Sequence, residues 1–254
     1  MLQKRLIPIL LLHKGGLYKT KNFMKPVYVG DPINAIKIFN EKEVDELIFL
    51  DIDASKKGEG PNYDVIKAIA SECFMPLCYG GGVNDFEQAD KLFRLGVEKI
   101  SLNSILFKNK EIISEISKVY GSQSVVGAMD IKKNILGKYF VYDHVKKKNT
   151  KLTPVNYAIE LEKLGVGEIL INNVHKDGKK SGYELDLIKE ISYAVSIPVI
   201  ACGGAGNIDD CAEILNNTEV SAAGAGSIFV FHGKHDAVLI TYPNRELIES
   251  KIKI

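Results

Sequence analysis

The stretch Met75-Pro76-Leu77-Cys78-Tyr79-Gly80-Gly81-Gly82 has a counterpart in Ile197-Pro198-Val199-Ile200-Ala201-Cys202-Gly203-Gly204, with the two prolines 122 residues apart. In each stretch a proline precedes a short apolar run that ends in glycines. The same offset carries Glu46 to Glu168, each at the head of another apolar run. Because 122 is nearly half of the 254 residues, these landmarks predict two similar halves.

The two copies belong to a longer series of short apolar runs that alternate with amphipathic segments of helical length. The apolar runs are 6–12, 46–52, 75–79, 97–102, 124–130, 167–173, 197–202 and 220–225. The helical segments are 34–44, 63–71, 85–95, 110–119, 154–164, 185–194, 208–216 and 245–252. Strands that are apolar on both faces are typical of a covered parallel sheet.

Eight such units in about 250 residues match a (β/α)8 TIM barrel. A doubly wound open sheet has the same periodicity, but the repeat favours a barrel of the α/β class that closes from two halves. We therefore predict one domain over 1–254, with half-barrels at about 1–120 and 121–254.

Local signals refine this pattern. Asp31-Pro32, Asn84 and Asn207 stand where helices are expected to begin. The segment 138–142 predicts an extra short strand within a loop, and the lysines at 146–148 predict its solvated tip.

Composition excludes several classes of protein. The 33 basic and 32 acidic side chains give a net charge of +1, so no basic footprint for nucleic acid is present. No apolar run is long enough to span a membrane, and the run 6–12 lacks the cleavage site of an export signal. The cysteines are too scattered to predict disulfides or a metal site, and we predict no cofactor and a cytoplasmic location. They are Cys73, Cys78, Cys202 and Cys211.

Glycines cluster where strands three, seven and eight are predicted to end, at 80–82, 203–206 and 224–226. Active sites of β/α barrels form at this end of the strands, and glycine lets backbone N–H groups approach an anion. Tight turns alone would also explain a single cluster. Three clusters, two of them related by the repeat, favour two phosphate sites, one in each half.

Acidic residues also follow predicted strands. Asp51, Asp53 and Asp130 stand at strand ends, where partial burial suits a carboxyl group to general acid–base catalysis. Asp130 is the preferred catalytic candidate, with a turn or helix cap as the alternative. His13 and His175 follow strands one and six and are left without a role.

The opposite ends of strands one, two, four and six carry, at or near the strand start, Arg5, Glu46, Lys99 and Glu168. Since buried charges need partners, these four are expected to meet in a closed ion-pair ring at the bottom of the barrel. Spacing alone favours a stabilising role for the ring over a plug in an axial path.

The chain resembles the cyclase subunit of imidazole glycerol phosphate synthase, the HisF family, from residue 1 to about residue 230. The matching stretches are 1–7, 45–52, 76–82, 98–103, 121–123, 177–178, 181–183 and 203–206. The resemblance implies a barrel paired with a HisH-like glutaminase. Ammonia from the glutaminase would travel along the barrel axis to a phosphorylated small-molecule substrate at the top face.

The resemblance also implies roles for particular residues. It makes the ring of Arg5, Glu46, Lys99 and Glu168 a gate for ammonia, and Asp130 a catalytic residue. The positions that match phosphate- or substrate-binding residues of the family are Lys19, Gly82, Asn103, Ser104, Asp177, Gly178, Gly204, Gly226 and Ser227.

The departures from the family pattern lie at the top of the barrel. A second catalytic aspartate is expected at the end of strand one, where this chain has Leu11. Asp53 replaces the usual threonine, and His175 replaces an acidic residue. The chain therefore looks like a diverged paralogue, of a group that serves an N-acetyl sugar amidotransferase in amidination of a surface-glycan sugar.

Three functions follow as hypotheses. The favoured one is an ammonia-conducting subunit with altered or lost cyclisation. The second is an active cyclase of histidine biosynthesis that makes imidazole glycerol phosphate and aminoimidazole carboxamide ribonucleotide (AICAR), with Asp130 sufficient or Asp53 or His13 standing in. The third is a non-catalytic activator of the glutaminase.

Overall fold

The computed structural model describes residues 4–253, so the first three residues of the matching stretch 1–7 lie outside the described part. Eight parallel strands form a closed barrel. They are β1 (Arg5–His13), β2 (Leu47–Asp51), β3 (Leu77–Gly80), β4 (Lys99–Leu102), β5 (Val125–Lys133), β6 (Glu168–Asn173), β7 (Val199–Cys202) and β8 (Ala222–Ala225). Each strand pairs with its neighbours in sequence, and β8 pairs with β1 from Arg5 opposite Ala222 to Pro8 opposite Ala225. The prediction of a (β/α)8 barrel is confirmed.

Helices cover the outside of the barrel between the strands. They are α1 (Pro32–Glu41), α2 (Tyr63–Glu72), α3 (Phe86–Arg94), α4 (Glu111–Tyr120), α5 (Pro154–Leu164), α6 (Leu185–Ala194), α7 (Ile208–Asn217) and α8 (Arg245–Lys251). Asp31 and Asn207 cap α1 and α7 as predicted, because their side chains accept the orphan N–H groups of the first turn. The prediction for Asn84 is wrong: the cap of α3 is Asp85, and Asn84 donates to the carbonyl of Gly82 instead.

Positions at the helix starts also match between the two halves. Asp85 and Asn207 cap equivalent helices and lie 122 residues apart. Gly82 and Gly204, at the same spacing, both have positive φ, 73° and 126°. Glycine adopts this backbone region without the steric cost that a side chain adds. The helix starts therefore repeat at the same offset as the strand ends, while the division into half-barrels stays a prediction.

Two insertions rise from the carboxyl ends of the strands. A hairpin of Gly16–Lys21 and Met24–Gly30 continues from β1 in antiparallel pairing. The predicted extra strand is confirmed at Tyr139–Asp143, where it pairs with the end of β5. The exposed turn behind it leads into a short strand at Lys148–Asn149.

The core has two layers. The larger one packs between the strands and the helices, and a smaller cluster fills the barrel interior. Inside the barrel, alternate residues of each strand point to the axis, as the two-residue period of a strand requires. Within residues 4–253, none of the helices has the length and apolar content needed to cross a bilayer.

Candidate functional site

A ring of four charges closes the lower end of the barrel. The Lys99 ammonium lies 2.9 Å from both carboxylate oxygens of Glu46 and 2.9 Å from Glu168. The Arg5 guanidinium donates to the same two carboxylates from the other side. Each cation therefore contacts both anions.

Burial and ion pairing shift the pKa values of the ring residues in opposite directions. Glu46 and Glu168 are 2% and 4% exposed, and burial raises the pKa of Glu46 while Lys99 and Arg5 oppose the rise. Burial alone would lower the pKa of Lys99, but the two glutamates raise it above its ordinary value. The pairing keeps the cations charged in spite of their partial burial.

Above the ring the barrel interior is apolar. Its cluster consists of Ile7, Ile9, Ile48, Cys78, Val126, Ala128, Leu170, Ile200, Cys202 and Ala222, with Leu50 packed against it. Ser101, 5% exposed, brings a hydroxyl to the upper end of this column. The axis thus changes from charged to apolar to polar between the lower and the upper end.

A cavity of about 610 Å³ opens at the upper end of the barrel. Its floor is divided by polarity. Leu11 and Leu50, opposite each other on β1 and β2, form an apolar side. Asp130 and Asn172, opposite each other on β5 and β6, form a polar side with Asn103 after β4.

Asp130 is held by two side chains. Its Oδ2 accepts a hydrogen bond from Asn103 Nδ2 at 3.0 Å and lies 2.8 Å from His144 Nδ1. The other ring nitrogen of His144 lies 3.3 Å from Ser104 Oγ. Burial lowers the pKa of His144, but the hydrogen bond and charge of Asp130 outweigh it, and the net shift is upward. Asp130, His144 and Ser104 thus form one hydrogen-bonded chain on the cavity wall.

Three other carboxylates of the cavity hold backbone in place. Asp51 accepts from the N–H groups of residues 53 and 54, and Asp143 accepts from those of residues 145 and 146. Asp177 accepts from Thr20 Oγ1 at 2.7 Å and from the N–H of Phe23 at 3.1 Å. Asp130 differs from these three because both of its hydrogen-bond partners are side chains and neither is a backbone N–H.

The hairpin after β1 covers the other side of the upper face. Asp177 fixes its turn, and a Cβ on Gly178 would overlap the carbonyl of Thr20. The Lys19 ammonium is buried against Gly226, where a Cβ would overlap it, and lies 3.4 Å from the carbonyl of Ile9. Burial lowers the pKa of Lys19, and the charge of Asp177 opposes this.

The structure therefore separates the residues proposed from the sequence. Gly82, Asn103, Ser104, Asp130 and Asp177 line the upper cavity. Five others lie outside its lining, around or beneath the hairpin and the last strands: Lys19, Gly178, Gly204, Gly226 and Ser227. The charges at Arg5, Glu46, Lys99 and Glu168 lie at the opposite end of the barrel.

His13 and Asp53 pair with each other at the rim. His13 Nδ1 lies 2.7 Å from Asp53 Oδ1, and the ring of His13 packs edge-on against Tyr18. Neither residue lines the cavity. His175 does line it, with its Nδ1 accepting from the N–H of Lys133 at 3.3 Å.

His144 is the functional candidate that the sequence reasoning missed. It directly follows the observed extra strand Tyr139–Asp143, which pairs antiparallel with the end of β5, where Asp130 lies. The predicted strand was therefore the sequence feature that could have indicated His144, since its pairing with β5 brings the following residue close to Asp130. Among the described residues, no three His, Cys, Asp or Glu side chains are grouped so as to hold a metal ion.

Comparisons with known proteins agree with this architecture. The family model described as histidine biosynthesis protein matches residues 5–236. A relative in Pseudomonas aeruginosa, provisionally named imidazole glycerol phosphate synthase subunit hisF2, is 52% identical over 244 residues, 96% of this chain and 97% of its own. A relative in Vibrio vulnificus, provisionally named subunit hisF3, is 46% identical over 96% of this chain and 94% of its own.

A relative named without qualification is also similar. The imidazole glycerol phosphate synthase subunit HisF of Alkaliphilus metalliredigens is 40% identical over 232 residues, 91% of this chain and 92% of its own. The closed barrel and these full-length similarities lead to one assignment: this chain belongs to the HisF family of histidine biosynthesis proteins.

Proposed function

We propose that this chain takes ammonia from a HisH-like glutaminase at its lower face, conducts it through the barrel, and delivers it in an upper cavity whose cyclisation chemistry is altered or lost. One observation carries the proposal: a closed four-charge ring at the lower end coexists with Leu11 on the floor of the upper cavity. The entrance features that the family resemblance implies are retained, whereas one of its two catalytic carboxylates is absent.

The apolar interior supports an ammonia path. Neutral ammonia enters apolar surroundings far more readily than ammonium, because a charge loses its hydration there. The interior cluster combines larger side chains such as Ile48 with the small side chains of Ala128 and Ala222. The lower depression, lined by Arg5, Asp45, Lys99, Gln123 and Glu168 among others, gives a glutaminase a polar surface around the ring.

Leu11 supports altered chemistry above. A leucine side chain transfers no proton, and general acid–base catalysis typically contributes a factor of about 10²–10⁴. The candidates for a substitute, His13 and Asp53, are bonded to each other outside the cavity lining. The relatives named hisF2 and hisF3 are also more similar to this chain, at 52% and 46% identity, than the unqualified HisF of Alkaliphilus metalliredigens, at 40%.

The altered cavity favours a different ammonia acceptor. We propose amidination of a surface-glycan sugar, with a separate N-acetyl sugar amidotransferase consuming the ammonia. A test mixes this chain, its glutaminase and such an amidotransferase, and measures sugar amidination driven by glutamine. Amidination that is equally fast without this chain would contradict the role.

A cyclisation assay tests the altered chemistry directly. The bisphosphorylated ribonucleotide substrate of the family is supplied with ammonium salt and no glutaminase. We expect little or no imidazole glycerol phosphate and AICAR from the wild-type chain. We expect a gain in cyclisation activity from Leu11→Asp. Leu11→Asn is the matched control, because asparagine has the same shape as aspartate but no carboxyl proton to transfer. Robust turnover by the wild-type chain would instead support an active cyclase.

The lower ring separates conduction from simple activation of the glutaminase. In Lys99→Ala the ring loses one of the two cations that contact both glutamates. If this chain conducts ammonia, glutamine hydrolysis continues while delivery to the acceptor falls. If the chain only activates the glutaminase, hydrolysis and delivery fall together.

A further inference from the structure

The Asp130–His144 pair presents one ring nitrogen to the upper cavity. Nδ1 of His144 is engaged by Asp130 at 2.8 Å, which leaves Nε2 facing Ser104 Oγ at 3.3 Å. The His144 side chain is 21% exposed and that of Asp130 only 8%. A molecule in the cavity therefore has more access to the imidazole than to the carboxylate.

The charges around His144 favour its protonated form. Asp130 faces it from β5, Asp143 precedes it on its own segment, and Lys56 faces it from the short helix Ala54–Lys57 after β2. The two aspartates raise the pKa of His144, while burial and Lys56 lower it, and the net change is upward. Lysines also line the cavity, at Lys56, Lys108, Lys132, Lys146 and Lys147.

Asp130 is held by side-chain hydrogen bonds although Leu11 replaces the second catalytic aspartate that the family resemblance implies. The family resemblance implies that a second catalytic aspartate faces Asp130 across the cavity. In this chain Leu11 occupies that place on the opposite wall. Asp130 nevertheless keeps two side-chain hydrogen bonds at 2.8 and 3.0 Å. An aspartate in this position orients a histidine and stabilises its charge, whether or not it exchanges a proton with substrate.

We propose that His144, together with Ser104, binds an anionic group of the molecule that occupies the upper cavity, and that Asp130 is a positioning residue for His144. Nδ1–H donates to Asp130, so the protonated ring donates Nε2–H to the anion, and the Ser104 hydroxyl donates a second hydrogen bond. Charge-assisted hydrogen bonds of this kind are stronger than neutral ones. The inference rests on the proposed altered chemistry of the cavity.

Sulfate is a suitable probe, because it stays a dianion across the range in which histidine titrates. In protein labelled with ¹⁵N-histidine, the imidazole signals are followed against pH with and without sulfate. Because an anion favours the protonated ring, we expect sulfate to raise the pKa of His144, and sulfate binding to weaken as the pH rises. Ser104→Ala should reduce both effects. This measurement on the wild-type chain needs no variant to fold.

Variants give the matched control. At about pH 6, His144→Gln should weaken sulfate binding about tenfold and flatten its pH dependence. His175→Gln removes a second histidine from the same cavity and should change neither. Asp130→Asn should move the loss of sulfate binding to a lower pH, because the pKa of His144 falls.

Two results would overturn the inference. The first is a His144 signal that sulfate leaves unmoved. The second is an equal change of sulfate binding in His144→Gln and His175→Gln, which would assign the effect to the lysines of the rim. Neither glutaminase nor ammonia takes part, so failure here leaves the ammonia path standing. Conversely, a normal sulfate response with no glutamine-driven delivery would contradict the ammonia path alone.

Discussion

At the residue scale, the molecule contains two very different sets of paired charges. In the lower ring each cation contacts two carboxylates, so the ring closes without an odd charge. In the upper cavity a single carboxylate, Asp130, serves one histidine. The first arrangement is built from residues at or near the starts of four barrel strands, whereas the second depends on a loop.

Removal of one charge from the lower ring should be costly. Glu46→Gln leaves Arg5 and Lys99 with only Glu168 between them, and breaking a buried ion pair typically costs about 3–5 kcal/mol. We expect the free energy of unfolding in urea to fall by that order. The control is Glu98→Gln, an exposed glutamate beside Lys99, for which a change within about 0.5 kcal/mol is expected. Equal losses in both variants would show that the ring contributes nothing special.

The two cavity histidines should affect stability with opposite dependence on pH. The pKa of His144 is raised in the folded chain, so its contribution is present below its unfolded value near 6.5 and is lost as the pH rises through the folded pKa. His144→Gln should therefore destabilise more at about pH 6 than at about pH 8.5. Urea unfolding at both values measures this.

His175 supplies the contrast. Burial and then Lys132, Lys179 and Lys133 lower its pKa, so protonation at low pH favours the unfolded chain. His175→Gln should therefore change the free energy of unfolding more favourably at about pH 6 than at about pH 8.5. The same sign in both variants would contradict the pairing of His144 with Asp130.

The residues of the ring and Asp130 could be proposed from the sequence, because they occupy fixed places at strand ends. His144 could not, because its contact depends on how a loop strand pairs with β5. The separation of His13 and Asp53 from the cavity was equally hidden. Their pairing follows from side-chain direction at the rim, which strand periodicity does not specify.

At the element scale, the hairpin after β1 is the feature with the most effect on the upper face. Asp177 holds it through the Thr20 hydroxyl, the N–H of Phe23 and a backbone bond from the N–H of Asn22. The hairpin in turn buries Lys19 against Gly226. One aspartate therefore decides whether the side of the face nearest β8 is covered.

Loss of that aspartate should loosen the hairpin. In Asp177→Ala the Thr20 and Phe23 donors lose their acceptor, and each unmade hydrogen bond costs about 1 kcal/mol. We expect faster amide hydrogen exchange over residues 16–30, with the barrel strands unchanged. Glu59→Ala, which removes an exposed carboxylate from the same cavity, is the control. Unchanged exchange in Asp177→Ala would show that strand pairing alone holds the hairpin.

The helices and barrel strands could be predicted to within a few residues from apolar periodicity. The hairpin could not, because its second strand is exposed from Met24 to Tyr28 and so lacks a buried face. Its turn places Asn22 and Phe23 at positive φ, a conformation that is uncommon for phenylalanine. Only the alternation of apolar and polar residues in the first strand, Gly16–Lys21, indicated a strand in this segment.

At the scale of the whole molecule, charged, apolar and polar layers follow one another along the barrel axis. The closed topology was predictable because the 122-residue offset repeats at strand ends, and it repeats at helix caps as well. The division of the cavity floor into an apolar and a polar side was not predictable. It depends on which strands are adjacent in register, Leu11 with Leu50 and Asp130 with Asn172.

A bulkier side chain in the apolar layer should block the passage of ammonia from the ring to the upper cavity. Ala128 lies in the interior cluster directly below the cavity, and Ala128→Leu adds volume there at a stability cost of about 1–3 kcal/mol. We expect glutamine hydrolysis by the partner to continue while delivery of its ammonia falls. Ammonium salt added from outside should restore delivery, and its failure to do so would show damage to the cavity rather than to the path.

The apolar layer also makes the barrel an electrical insulator. A bare charge crossing it would lose its hydration at a cost of many kcal/mol, so current cannot pass between the ring and the cavity. Electric fields still cross the layer, because charges interact more strongly through a medium of low dielectric constant than through water. β1 also joins the two ends directly, since it carries Arg5 at the lower end and Leu11 at the upper.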